Sequence, residues 1–151
     1  MNFDPMQLRK ATEWRASFQG APRLLDYLGE EGGPTLALAF AALFWPTFVE
    51  VRGCVLLSDR YEDRNFEEWW QELAGDCRAI EAVANHLHLW DVFDPDDEHV
   101  PPEALNHLAE VLGRTWRCAL AEQFPDRRFE VEVSDEPYDY GPTVTARSAV
   151  T

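Results

Sequence analysis

Residues 34–57 constrain the fold more than any other part of the chain, because the two halves of this stretch differ in period. Residues 36–45 are apolar on every side, which is the pattern of a helix buried inside a fold. Pro46 ends this helix, since proline lacks an amide donor and disfavours helical conformation in the residue before it. Apolar residues then alternate with Glu50 and Arg52. The pattern predicts a buried central helix that leads directly into one strand, residues 49–57.

Helical periodicity recurs on both sides of this centre. Asp4 and Pro5 are typical of a helix start, as N-cap and first helical residue, and the first helix is expected to reach Phe18. Further helices are predicted over residues 22–29, from Asn65 to about residue 87 with a kink or break at Gly75, and from residue 101 to just before residue 125. Residues 129–133 and 143–147 alternate and predict two further strands.

These elements predict one domain, residues 1–151, with residues 148–151 frayed. The last two strands are expected to form an antiparallel hairpin, and the strand at 49–57 is expected to join them. Arg52 and Arg147 could then pair across strands with Glu130 and Glu132. The predicted fold class is α+β, with about five helices packed on a small, mainly antiparallel three-stranded sheet that leaves one face open.

Charge is the strongest feature of the composition. The chain has 28 acidic and 13 basic residues, for a net charge of −15. This field disfavours direct binding to nucleic acid or to an anionic membrane and favours a basic protein partner. Residues 79–113 contain eight acidic residues and no lysine or arginine, and residues 129–146 contain five and none. An uneven field of this kind steers a cationic partner and speeds its association.

The cysteines and the N-terminus indicate the cellular compartment. The three cysteines are far apart and form no CxxC motif, which favours reduced thiols in a cytoplasmic protein. Cys54 and Cys77 are expected to be core residues. Residues 1–18 lack the basic start and apolar run of a signal peptide. The apolar run at 36–45 is shorter than the roughly 20 residues that cross a bilayer.

Two acidic loops form the candidate partner-binding surface. Tyrosines beside carboxylates are typical of binding surfaces, where an aromatic ring anchors and charge orients the partner. The alternative is that the tyrosines pack on the sheet while the acids cap the turn or are simply solvated. The candidate residues are Asp91, Asp94, Asp96, Asp97 and Glu98 in the first loop, and Asp135, Glu136, Tyr138, Asp139 and Tyr140 in the second.

A metal site is the alternative use of the first loop. His86, His88, Asp91 and His99 are of metal-ligand types and would suit a metal-dependent hydrolase. On a helix, however, His86 and His88 would point about 160° apart, because two residues advance by about 200°. They share a face only if the chain is extended there. The aspartates also fail to match a calcium-binding loop.

Catalytic motifs are missing from the sequence. It contains no GxSxG, no glycine-rich phosphate loop and no HExxH. In composition the chain resembles bacterial immunity proteins and inhibitors, which bind and block a basic partner, often a nuclease toxin. The resemblance implies a non-catalytic inhibitor, immunity protein or adaptor without a cofactor. The other hypotheses are the hydrolase and a structural subunit that assembles through an open sheet edge. The sequence leaves the oligomeric state open.

Overall fold

The architecture is taken from a computed structural model, which describes residues 3–94, 100–135 and 140–151. Within these ranges the chain forms six α-helices and two small antiparallel sheets, so the α+β prediction is confirmed. The helices are α1 (Arg9–Ala16), α2 (Leu24–Glu31), α3 (Pro34–Phe44), α4 (Asp63–Glu72), α5 (Cys77–Ala84) and α6 (Pro102–Gln123). The strands are β1 (Phe48–Val51), β2 (Cys54–Leu57), β3 (His86–His88), β4 (Phe129–Ser134) and β5 (Thr143–Ser148).

The three-stranded sheet has the order β3-β5-β4. The predicted hairpin of β4 and β5 is confirmed, with Val131 opposite Ala146. Its third strand is β3, in which Leu87 lies opposite Val144. The expected third strand, residues 49–57, instead forms the separate two-stranded sheet of β1 and β2. The edge beside β5 is therefore occupied by the extended chain that follows α5.

The prediction of a single strand over residues 49–57 is wrong because the chain reverses in its middle. Arg52 and Gly53 both have positive φ, at 50° and 85°, and form the two-residue turn of a hairpin. Glycine adopts such a conformation without steric cost. Val51 pairs with Cys54 across the turn. Because side chains alternate along a strand, Val49 and Val51 lie on one face of the hairpin and Val55 lies on the other.

The hairpin consequently contributes to two cores. One face packs with Phe66 and Ile80 from α4 and α5, through Val49, Val51, Cys54 and Leu56. The other face, with Phe48, Val55 and Leu57, packs with Trp116 of α6 and with the inner residues of the three-stranded sheet. The apolar residues of the hairpin are therefore largely buried as expected, but they are divided between two hydrophobic clusters.

Two buried polar side chains, one in α5 and one in the residue that follows it, connect the hairpin to the three-stranded sheet. Glu81, with no exposed surface, accepts hydrogen bonds from the amides of Val55 at 2.8 Å and Ser148 at 2.6 Å. Asn85, one helical turn later, accepts from the Leu57 amide at 2.8 Å. Its amide group donates to the carbonyls of Val55 at 2.8 Å and Ala146 at 3.1 Å. These side chains satisfy the backbone groups on the outer edge of β2, which would otherwise be buried without partners.

The predicted cross-strand ion pairs form in part. Arg147 pairs with Glu132 at 3.0 Å and with Glu130 at 3.5 Å, as expected. Arg52 pairs instead with Glu67 of α4 at 2.6 Å, because its hairpin lies outside the three-stranded sheet. Arg78 forms a second ion pair with Glu130, at 2.6 Å. The hydrogen bond from Arg78 lowers the pKa of Glu130 below its ordinary value, and Arg147 acts in the same direction.

Cys54 and Cys77 form a disulfide that joins β2 to the start of α5, with 4.9 Å between the Cα atoms. The expectation of reduced thiols is therefore wrong for this pair, although Cys54 is fully buried as predicted. Cysteines 23 residues apart in sequence give no local signal of pairing, since only the packing of α5 on the hairpin brings them together. Cys118 is free and exposed.

The helix α3 is not buried, contrary to the prediction. No α3 residue is fully buried, and Leu36 and Leu38 are 51% and 70% exposed. Its C-terminal end packs against the main core through Leu43 and Phe44. The helix lies at the edge of the molecule, so an all-round apolar sequence is left partly facing solvent. Among the described residues, no helix is long and apolar enough to cross a membrane.

Candidate protein-interaction surface

Both acidic loops begin at the same end of the three-stranded sheet. His88, the last residue of β3, pairs with Thr143, the first residue of β5. Ser134, the last residue of β4, pairs with the same threonine on the other side. The chain therefore leaves β3 and β4 at this end and returns to β5 from it. The register of three strands brings together the bases of two loops that are far apart in sequence.

Aromatic contacts hold the two loop bases against each other. The rings of Trp90 and Tyr140 lie 4.8 Å apart, edge to face, and the Leu89 amide donates to the Pro142 carbonyl at 2.9 Å. Gly141 has a φ of +71°, and a Cβ there would lie 2.5 Å from Nε1 of Trp90. A glycine is thus required at this position both by its backbone conformation and by the close approach of the indole.

The acidic end is the name used below for Asp91, Asp94, Asp135 and Tyr140, the candidate residues that the structure describes. All four are exposed, and Tyr140 has 54% of its surface accessible while its ring packs on Trp90. The six other candidates, Asp96, Asp97, Glu98, Glu136, Tyr138 and Asp139, lie outside the described residues. The acidic end combines carboxylates with a tyrosine that is 54% exposed and whose ring contacts both Trp90 and His88.

The two histidines of the metal hypothesis do share a face. They lie in β3 rather than on a helix, and their ring centroids are 4.6 Å apart. Nδ1 of His86 contacts Oγ1 of Thr145 at 2.6 Å, and Nδ1 of His88 contacts the Tyr140 carbonyl at 3.2 Å. Across the described ranges, no three histidine, cysteine or acidic side chains are grouped to hold a metal ion. His99 lies outside those ranges, so the metal site stays a prediction.

The sequence patterns do not predict the apolar surface around α3. A cleft of about 700 Å³ lies between α3 and the sheets, with Ala42, Leu43, Leu57 and Trp116 among its lining residues. A second cleft, of about 530 Å³, is lined by residues that include Phe44. The available signal was the complete lack of charge between Glu31 and Glu50, which is equally compatible with burial and with an apolar contact surface.

The described part of the site thus presents two kinds of surface, the acidic end and the apolar side of α3. Neither surface has a geometry that defines a chemical reaction. Carboxylates exposed to water lack the differing environments that make one an acid and the other a base. Comparisons with protein-family models, with curated proteins and with solved structures each find no match.

Proposed function

We propose that this protein is a non-catalytic acidic binding protein, of the inhibitor, immunity-protein or adaptor kind, that occludes a basic protein partner. The observation that carries the proposal is the common origin of the two acidic loops at one end of the three-stranded sheet, where Trp90 packs on Tyr140. Two acidic runs that are separate in the sequence thus start side by side. A single cationic groove on a partner could then engage both.

The chemistry of the acidic end suits this role. Its carboxylates can steer and orient a cationic surface, which raises the association rate. Tyr140 offers a large, partly immobilised ring, and such side chains lose little conformational entropy on binding. The cytoplasmic location predicted from the cysteine count is not part of this proposal, because a disulfide favours an oxidising compartment.

Capture of the partner is the first experiment. Tagged protein is incubated with native extract at low salt, and bound proteins are eluted with a salt gradient and identified by mass spectrometry. We expect a stoichiometric basic protein that is released as salt rises, because screening weakens interactions between exposed charges. If no basic protein is retained under these conditions, the proposal fails.

Charge reversal then locates the contact on that partner. The variant Asp91→Lys/Asp94→Lys should lower the association rate by about tenfold or more and flatten its salt dependence. The matched control Glu72→Lys/Glu122→Lys changes the net charge equally at exposed positions of α4 and α6 and should have a much smaller effect. Tyr140→Ala should chiefly raise the dissociation rate, since it removes an anchor. Equal effects of the two charge variants would reject the acidic end as the contact.

A further inference from the structure

His86 and His88 lie on the open face of the three-stranded sheet. Leu87, between them, packs against the main core, and because side chains alternate along a strand, the two histidines point to the other side. Both residues are partly exposed, and their ring centroids are 4.6 Å apart. The extended chain thus presents two imidazole rings side by side at the surface.

The polar contacts of the two rings involve the same nitrogen, Nδ1. Nδ1 of His88 lies 3.2 Å from the Tyr140 carbonyl. Because a carbonyl oxygen only accepts, Nδ1 carries the proton in this contact and the lone pair of the neutral ring is on Nε2. Nδ1 of His86 lies 2.6 Å from Oγ1 of Thr145, a hydroxyl that can accept in the same way. Such a contact is the usual support of a metal-binding histidine, since it fixes the tautomer and the orientation of the ring.

The distance between the rings is that expected of two imidazoles that share one metal ion. A zinc–nitrogen bond of about 2.1 Å places the ion about 3.2 Å from each ring centroid. Two rings bound at about 90° then have centroids about 4.5 Å apart, and two rings bound at the tetrahedral angle have centroids about 5.2 Å apart. The observed 4.6 Å lies within this range. The ring planes are 88° apart, which binding permits because each ring needs only to contain the ion in its own plane.

We propose that His86 and His88 bind one divalent transition-metal ion through their Nε2 atoms. Imidazole ligands suit zinc, nickel and copper, whereas magnesium and calcium prefer oxygen ligands. Two protein ligands leave open coordination positions, which water fills. The net charge of −15 attracts cations and raises their concentration near the surface.

This site is smaller than the hydrolase site predicted from the sequence, because it requires neither Asp91 nor His99. It also goes beyond the proposed function, and no protein partner enters its test. Failure to bind metal would therefore leave the proposed contact with a basic protein unaffected.

The first test is calorimetric titration of the untagged, chelator-treated protein with zinc and with nickel. A Cys118→Ser background keeps the exposed free thiol from binding the ion. We expect saturable binding of one ion per chain. His86→Ala and His88→Ala should each raise the dissociation constant by about tenfold or more, because either change removes the second attachment of the ion. The control His107→Ala, which removes a histidine from α6, should bind as the parent protein does, and circular dichroism verifies that each variant is folded.

Nitrogen NMR of the imidazole rings tests the binding atoms without removing either histidine. On addition of zinc, the Nε2 resonances of His86 and His88 should shift, while Nδ1 of each ring keeps its proton. The proposal is overturned if neither ion binds saturably, if binding survives the loss of both histidines, or if the ion is bound through Nδ1. Binding that His99→Ala weakens as much as His86→Ala does would overturn the two-histidine site in favour of the larger set predicted from the sequence.

Discussion

Asn85 and Glu81 illustrate how single side chains substitute for a strand. Within the part of the chain that the structure describes, no strand pairs with the outer edge of β2. The side chains of Glu81 in α5 and of Asn85 after it supply the hydrogen bonds of this edge instead. Both residues are buried, at 1% and 0% exposure. Glu81 belongs to the first acidic run by sequence, but its carboxylate binds backbone amides inside the protein. It therefore contributes less to the surface field than the acidic count implies.

Removal of the Asn85 side chain should be strongly destabilising. Asn85→Ala leaves the Leu57 amide and the carbonyls of Val55 and Ala146 without these partners in the interior. Each buried unsatisfied group costs about 1–3 kcal/mol, so the loss of three partners should lower the free energy of unfolding by about 3 kcal/mol or more. Urea unfolding followed by circular dichroism measures the change.

The matched control for this substitution is Asn65→Ala. The Asn65 side chain contacts Glu62 at an exposed site, 3.3 Å away, and its loss should change the free energy of unfolding by about 0.5 kcal/mol or less. If Asn85→Ala were no more destabilising than this control, the role of Asn85 in joining the two sheets would be refuted.

At the scale of elements, the disulfide is the covalent link between the hairpin and α5. It closes a loop between cysteines 23 residues apart, and cross-links of about this span stabilise proteins by about 3 kcal/mol. Reduction, or Cys54→Ala/Cys77→Ala, should lower the free energy of unfolding by that order. Denaturant unfolding with and without a phosphine reductant measures the difference.

Thiol titration provides an independent measure of the same bond. The protein unfolded without reductant should show one thiol per chain, that of Cys118, and three after reduction. Cys118→Ser should show none without reductant and should retain the stability of the wild type. Three reactive thiols in the unreduced protein would show that the disulfide does not form in solution.

Element boundaries divide into those that local sequence specifies and those that it does not. The long helix α6 begins at Pro102 and ends at Gln123, and the break between α4 and α5 falls at Ala74 and Gly75, which both have positive φ. Both features follow from proline, glycine and period. The hairpin turn at Arg52 and Gly53 does not, because its alternation continues through the turn and arginine is not a usual turn residue.

For the whole molecule, the contact with a basic partner should weaken as salt rises, because attraction between exposed charges is screened. A chain of net charge −15 should therefore bind such a partner fastest at low salt. Binding kinetics between low and high salt measure the trend, and an association rate that does not change with salt would contradict an electrostatic contact.

The sequence by itself determines the α+β class, the terminal hairpin, the last helix and the acidic character, since these depend on period, chain-breaking residues and composition. Tertiary structure alone decides that α3 is exposed, that Cys54 meets Cys77, and that the two acidic loops start at one end of a sheet. The physical reason is that a period specifies which residues of an element share a face. What that face contacts depends on the register and docking of elements distant in sequence.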